Sequence, residues 1–180
     1  MMWNNYIGLI GYIFLTIAYS LYLIKHKDAI LFLLGCLLII SGYLTSAVEK
    51  TIKIAQNKKK IHKYNFGHII LFLFYLLSFL TEKKINYHGK DSDILALLGH
   101  AVLIFKNDLN IVGYFSLLFY YILYIIRNLK AIDQWPNKFQ VGGGIILIVY
   151  YIIEIIFKYI EPDKPNDSDK PKDSDKPKQD

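Results

Sequence analysis

Two histidines and one glutamate stand inside long apolar segments of this 180-residue sequence, where polar side chains are costly. His68 begins the third apolar segment, His100 lies in the fourth and Glu154 lies in the last. An imidazole can donate, accept or titrate, and a buried carboxylate can relay protons or bind a cation. We therefore treat these three as candidate binding residues. The alternatives are hydrogen-bonded structural histidines and a local ion pair between Glu154 and Lys158.

Polar aromatic residues recur at seven-residue spacing in the first, third and fifth apolar segments. This spacing returns to the same face of a helix. The pairs are Tyr12 and Tyr19, His68 and Tyr75, and Tyr114 and Tyr121, with Thr16 and Ser20 extending the first. If these faces converge, their hydroxyls line a central cleft, which adds Tyr19, Tyr75 and Tyr121 to the candidate binding residues. Hydrogen bonding between helices is the structural alternative.

No pattern in the chain predicts a catalytic residue, a metal site or a cofactor. The single cysteine, Cys36, cannot form a thiolate metal cluster. Nucleophile-elbow, zinc-protease and phosphate-loop motifs do not occur in the sequence. We therefore expect a protein that is not an enzyme. A membrane enzyme that acts on lipid, with Glu154 and His100 as acid and base, is the remaining enzymatic hypothesis.

The elements that must position these residues are apolar segments of membrane-spanning length. The chain is 54% hydrophobic with a mean hydropathy of +0.30, and a helix needs about 20 apolar residues to cross a bilayer. The segments cover 6–24, 29–48, 64–80, 94–105, 109–126 and 141–160. Segment 94–105 would form only about 18 Å of helix. Six spans are therefore predicted, with five spans and a re-entrant segment as the alternative.

An internal repeat favours six spans. From Gly11 and from Gly113, seven of 14 aligned residues are identical, and a Gly followed eight residues later by Tyr occurs in all three odd segments. Residues 30–40 and 94–104 share six of 11 residues, which pairs Gly35 with Gly99. The repeat predicts three tandem helical hairpins in parallel repetition.

Small residues indicate where helices approach closely. Gly35, Gly42, Ser46 and Gly99 lie on the faces of the even segments and predict tight helix packing. The run 142–144 is predicted to open the last helix, either as a flexible junction or as a site for a phosphate or headgroup. A polar loop is expected to carry Trp135 and Pro136.

Charge predicts topology rather than nucleic-acid binding. The net charge is +6, and loop lysines are typical of membrane topology and of contact with anionic lipid. Loop 49–63 carries six lysines, so we expect it, and with it both termini, in the cytoplasm. Residues 161–180 form a charged hexapeptide repeat that is expected to be disordered. The domains are thus 1–160, transmembrane, and 161–180, a tail.

Together these features predict an all-α, polytopic integral membrane bundle. The many lysines with a single arginine, Arg127, and the abundance of Ile, Asn and Tyr resemble an AT-rich bacterial coding sequence, so we expect a bacterial inner membrane. The leading functional hypothesis is a bundle that binds or transports a small solute or lipid. The alternative is an accessory or assembly subunit of a larger membrane complex. The expected partners are the lipid bilayer and either a membrane protein or a second copy of the chain.

Overall fold

The computed structural model describes residues 3–25, 30–56, 65–80, 90–105, 109–129, 132–133 and 135–160. Six α-helices account for nearly all of them. They are α1 (Trp3–Lys25), α2 (Ile30–Gln56), α3 (Phe66–Leu80), α4 (Lys90–Ile104), α5 (Asn110–Asn128) and α6 (Trp135–Ile160). The chain is therefore all-helical over these ranges. The predicted tail, 161–180, lies outside the described residues.

The helices form a closed ring in chain order. Each helix packs antiparallel against the next, and α6 packs back against α1. Because six antiparallel helices return the chain to its starting side, Trp3 and Tyr159 lie at the same end of the ring, which we call the first end. The second end holds the other helix termini, including Asn128 of α5 and Trp135 of α6. Side chains from all six helices meet inside the ring.

The ring is apolar outside and polar inside. Large aliphatic side chains such as Leu37, Val112 and Ile145 are about half exposed, whereas tyrosines, His100 and Lys50 are buried. A water-soluble protein shows the opposite distribution. Within the described ranges, four helices are long and apolar enough to cross a membrane, and they coincide with α1, α2, α5 and α6. The fold is thus compatible with a membrane protein.

Glycines set the distance between helices at three interfaces of the ring. At each interface a glycine of an even helix contacts a leucine of the next helix around the ring. A glycine of that next helix contacts the even helix in turn. The pairs are Gly42 with Leu71, Gly99 with Leu117 and Gly143 with Leu15. A Cβ atom on Gly99 would lie 2.6 Å from Leu117 Cγ and 3.2 Å from the carbonyl oxygen of Gly113. Close packing was predicted for Gly42 and Gly99, and these contacts confirm it.

These contacts change which residues of α2 and α4 correspond to each other in the internal repeat. Gly99 and Gly42 occupy equivalent positions, since each contacts a leucine four residues after the glycine of the next helix. The sequence comparison had matched Gly99 with Gly35 instead, seven residues earlier in α2. A shift of seven residues keeps the same helix face, which explains why both alignments place glycine inward.

Two helices extend beyond their predicted ends. α2 continues through Lys50 to Gln56, although the second apolar segment was predicted to end at 48, with loop 49–63 after it. α6 begins at Trp135 rather than at 141, and Pro136 occupies its first turn, where a missing amide hydrogen costs little. The polar loop predicted for these two residues was wrong. So was the placement of 142–144 at a helix start, because these glycines lie within α6 and pack against α1 and α5.

α3 and α4 are the two short helices, with 15 residues each, which corresponds to about 22 Å. Their ends are joined by polar contacts that satisfy free backbone groups. Asn65 donates from its amide side chain to the carbonyl of Leu103 at 2.6 Å and from its backbone to that of Ile104 at 3.1 Å. The Glu49 carboxylate accepts the backbone N–H of Phe66, the first residue of α3, at 2.6 Å. Such partners matter where water does not reach the helix ends.

Candidate functional site

Nine tyrosines fill the middle of the ring. All are at most 6% exposed, and they come from α1, α2, α3, α5 and α6. This tyrosine core consists of Tyr12, Tyr19, Tyr43, Tyr75, Tyr120, Tyr121, Tyr124, Tyr150 and Tyr151. α4 contributes His100, which is fully buried against the same core. A buried phenol carries a hydroxyl that needs a partner, so the core is a polar site rather than an aliphatic one.

Four hydroxyls form a connected chain across the core. Tyr43 lies 3.3 Å from Tyr121 and 3.5 Å from Tyr75, and Tyr75 lies 2.5 Å from Tyr120, each measured between hydroxyl oxygens. An O–H···O bond is normally about 2.7–2.8 Å long. The two contacts of Tyr43 are therefore loose, and its hydroxyl retains capacity for another polar atom. We call these four residues the central hydroxyl chain.

Two further hydroxyl pairs join α1 to α6 and to α5. The oxygens of Tyr12 and Tyr151 are 3.3 Å apart, and those of Tyr19 and Tyr124 are 3.4 Å apart. Tyr12 and Tyr19 are seven residues apart on α1, about 10 Å along the axis. The hydroxyls are thus distributed in depth through the ring.

The rings of the core stack on one another. Tyr43 lies between Tyr12 and Tyr19, with centroid distances of 6.2 and 5.9 Å and interplanar angles of 28° and 26°. Tyr121 and Tyr151 stack at 5.9 Å. Stacked aromatic pairs add stabilisation beyond their buried area. A solute that reaches the central hydroxyl chain must therefore separate rings that pack against each other.

His68 and His100 contact each other directly. Their Nδ1 atoms are 2.9 Å apart, so one nitrogen donates and the other accepts. His100 also stacks on the ring of Tyr75, at 5.5 Å and 16°. Its Nε2 has no hydrogen-bond partner within the part of the chain that the structure describes. The pair attaches an imidazole to the edge of the tyrosine core.

A charged cluster occupies the first end of the ring. The Lys50 ammonium donates to Tyr150 and to the side-chain oxygen of Asn5 at 3.4 Å, and lies 3.9 Å from the carboxylate of Glu154. The amide of Asn4 donates to the same carboxylate oxygen at 3.0 Å. We call these five residues the Lys50–Glu154 cluster. It joins α1, α2 and α6 directly above the tyrosine core.

A second polar group lies near the other end of the ring. Ser78 of α3 donates to one carboxylate oxygen of Asp93 at 3.1 Å. Arg127 of α5 donates to the hydroxyl of Ser92 at 2.6 Å. Asp93 is 3% exposed and Ser92 is fully buried. Charged side chains therefore approach the tyrosine core from both ends.

The structure places all six predicted binding residues inside the ring, in three groups. Tyr19, Tyr75 and Tyr121 belong to the tyrosine core, with Tyr75 and Tyr121 joined through Tyr43. His68 and His100 form the imidazole pair, and Glu154 lies in the Lys50–Glu154 cluster. Their role in binding stays a prediction. Among the described residues, no group of three or more His, Cys, Asp or Glu side chains could hold a metal ion.

The remaining predicted polar residues behave differently. Thr16 and Ser20 donate to carbonyls of their own helix, those of Tyr12 and Thr16, each at 2.8 Å. They are half-buried and satisfy themselves locally. Glu154 has partners on α1 and α2, so its surroundings extend well beyond the local pair proposed with Lys158.

Sequence reasoning missed Lys50, Asp93 and Tyr43. Lys50 and Asp93 were assigned to polar stretches outside the spans, because they stand next to the ends of apolar segments. Both side chains are buried in the structure, Lys50 at 7% and Asp93 at 3% exposed. Tyr43 carried an available signal, because a glycine followed directly by Tyr or His occurs in each of the first five helices. These dipeptides begin at Gly11, Gly42, Gly67, Gly99 and Gly113.

The chain matches no family model, no curated protein and no solved structure. Its function must therefore be argued from the ring and its contents.

Proposed function

We propose that the chain is a multi-pass protein of the cell membrane, with six transmembrane helices in three tandem hairpins, that binds and moves a small polar solute through its tyrosine core. The proposal is supported by the inverted distribution of polarity. Aliphatic side chains cover the outside of the helices, where lipid would contact them. Hydroxyls, imidazoles and charges lie inside, where many of them bond to one another.

The central hydroxyl chain carries the functional part of the proposal. Hydroxyls from α3 and α5 converge on the hydroxyl of Tyr43 in α2, at distances longer than an ordinary hydrogen bond. A solute with its own donors and acceptors can replace these loose contacts with shorter ones. Buried hydroxyls favour such a solute over a lipid acyl chain, because an acyl chain would leave them without partners.

The Lys50–Glu154 cluster supplies a closure at one end. It holds α1, α2 and α6 together at the first end through contacts to Asn4, Asn5 and Tyr150. Access to the tyrosine core from that end requires this cluster to separate. The proposed bundle is therefore closed at the first end in the described state and opens by parting α1 and α2 from α6.

The proposed setting is the lipid bilayer of a bacterial inner membrane. The bacterial assignment is supported by the Lys- and Ile-rich composition with a single arginine. Both termini are proposed to face the cytoplasm, which is supported by the lysines between α2 and α3.

A test of the proposal uses the full chain extracted in native lipid discs and examined by intact mass spectrometry. We expect a small polar molecule to co-purify with the wild-type chain. Tyr43→Phe should weaken its binding about fivefold and lower its occupancy, because one hydrogen bond contributes about 1 kcal/mol and 1.4 kcal/mol is tenfold in affinity. Tyr159→Phe is the matched control, since Tyr159 is 83% exposed at the end of α6. A chain without any bound small molecule, or occupancy equal in both variants, would contradict the proposal.

One observation favours a different function. The rings of the tyrosine core pack against each other, with stacked pairs on both sides of Tyr43. A permanently closed core suits an accessory or assembly subunit, which needs stability and no passage. In the same mass measurement that function predicts a protein partner at a fixed ratio and no solute. A defined lipid in place of both would indicate a lipid-binding bundle.

A further inference from the structure

Asp93 is a buried carboxylate that the proposed solute site does not use. It lies in the first turns of α4 and is 3% exposed. Its Oδ2 accepts one hydrogen bond, from Ser78 at 3.1 Å. Its Oδ1 is buried and has no partner among the residues that the structure describes. A buried ionised carboxylate with one neutral hydrogen bond is costly, since its second oxygen has lost water and gained nothing.

The neighbouring arginine does not remove this cost. Arg127 of α5 directs Nη1 to the hydroxyl of Ser92 at 2.6 Å. The described contacts contain no ion pair between Arg127 and Asp93. Arg127 bonds to the residue that precedes Asp93 in the chain, so its charge favours the ionised carboxylate, yet no bond among the described residues reaches Oδ1. Both the charged and the neutral form of Asp93 are therefore accessible at this position.

Asp93 belongs to a line of polar contacts within one hairpin. Along α3 and α4 the line runs from the His68–His100 pair, through the ring of Tyr75 stacked on His100, to the bond between Ser78 and Asp93. Tyr75 and Ser78 are three residues apart and share a helix face. This hairpin thus places the bond between Ser78 and Asp93 on the same face of α3 as Tyr75, a member of the central hydroxyl chain.

The same hairpin is formed by the two shortest helices. Their described parts have 15 residues each, about 22 Å. In the proposed membrane-spanning bundle, Asp93 lies near the water at the second end, because only three residues, all of them polar, precede it in the described part of α4. Asp93 lies in the first turn of α4, at the second end of the ring, and its side chain is buried.

We propose that Asp93 is a proton-binding residue, at which a proton from water at the second end binds Oδ1 and converts the carboxylate to the neutral acid. The coupling of this step to solute movement rests on the proposed function, whereas the protonation itself does not. The neutral acid can donate from Oδ1 while Oδ2 keeps its bond to Ser78. Protons are then the ion whose gradient drives the solute.

The groups that face Asp93 come from three helices. α3 presents Ser78 and, one turn away, Tyr75; α5 presents Arg127 and, nearer the core, Tyr120; and on α4 itself Ser92 precedes it. Among the side chains that the structure describes around Asp93, Arg127 carries the only charge, and it favours the ionised form. The proton-binding equilibrium is thus set by burial on one side and by Arg127 on the other.

The experiment is difference infrared spectroscopy of the full chain in lipid, titrated upward from pH 5.5, where exposed carboxyls are already ionised. We expect a carboxylic C=O band that disappears as pH rises, shifts in D2O and is lost completely in Asp93→Asn. Asp133→Asn, in an exposed turn, should retain it. A band that survives Asp93→Asn, no titrating band at all, or a band that responds to Na⁺ instead of pH would overturn the proposal.

A second variant guards against misfolding of Asp93→Asn. Ser78→Ala removes the one described bond to the carboxylate and leaves the carboxyl itself in place. It should keep the band and shift its titration midpoint upward by about one pH unit, because the ionised carboxylate loses a hydrogen bond. An unchanged midpoint would count against Asp93 as the source. The infrared titration needs no solute. A chain that shows this titrating band but carries no small molecule in the mass measurement would refute the proposed function and leave this inference standing.

Discussion

Replacing Gly113 with alanine tests the packing that closes the ring between α4 and α5. A Cβ atom on Gly113 would lie 2.7 Å from Leu103 Cγ and 3.1 Å from the carbonyl oxygen of Gly99. The leucine side chain can rotate, but the carbonyl belongs to the helix backbone. The two helices must therefore move apart by several tenths of an ångström.

The expected cost follows from two opposing contributions. Overpacking of a close contact destabilises by about 1–3 kcal/mol. Alanine is favoured over glycine within a helix by about 1 kcal/mol, which offsets part of that cost. The net loss for Gly113→Ala should be about 0–2 kcal/mol, with about 1 kcal/mol at the middle of that range. For a chain of this size, a loss of about 1 kcal/mol lowers the melting temperature by about 2–4 °C.

Thermal unfolding in one detergent, followed by circular dichroism, measures this loss. Gly142→Ala is the matched control, because its Cβ would lie 3.3 Å from the Phe14 ring and meets no backbone atom. It should leave the melting temperature unchanged or raise it. Combining Gly113→Ala with Leu103→Ala should cost less than the sum of the two, by about 1 kcal/mol. A melting temperature for Gly113→Ala equal to that of the control would refute the close approach of α4 and α5.

Three further substitutions test other parts of the ring. Tyr43→Phe removes two hydroxyl contacts and, at about 0.6 kcal/mol for each, should lower the melting temperature by about 2–5 °C, whereas Tyr159→Phe should not change it. Lys50→Met and Glu154→Gln should each destabilise the chain, and the double variant should cost about 1–2 kcal/mol less than their sum; strict additivity would show that the pair does not interact. Asn65→Ala should speed hydrogen exchange at the end of α4, because the carbonyl of Leu103 loses its donor. Faster exchange that is confined to other helices would contradict that contact.

Hydrophobic patterning was sufficient to predict the number and order of the helices. Continuous apolar segments separated by lysines can form little else, and α3 and α5 fall within a few residues of their predicted bounds. The ends of α2 and α6 could not be predicted in the same way. Lys50 continues α2 because Asn5 and Tyr150 receive its ammonium, and these partners lie on distant parts of the chain.

The candidate site was predicted in part. The seven-residue spacing of Tyr12 and Tyr19, and of His68 and Tyr75, correctly placed them on inward faces, because helix periodicity is a local property. The partners of these residues depend on how the ring closes. Contacts such as Tyr43 with Tyr121 join α2 to α5, which are not neighbours in the ring. No periodicity within one segment contains that information.

The unequal helix lengths have a consequence for the surrounding lipid. α2 has 27 residues and α6 has 26, while α3 and α4 have 15 each. Over its described residues, the hairpin of α3 and α4 is about 22 Å long, whereas a typical hydrocarbon core is about 30 Å thick. In the proposed membrane-spanning bundle, a hairpin of this length would require the bilayer to thin beside it, at a fraction of a kcal/mol for each ångström of mismatch. The protein would then partition toward thin membranes, and acyl chain length would regulate it from the lipid side, through the two helices that carry Asp93 and the imidazole pair.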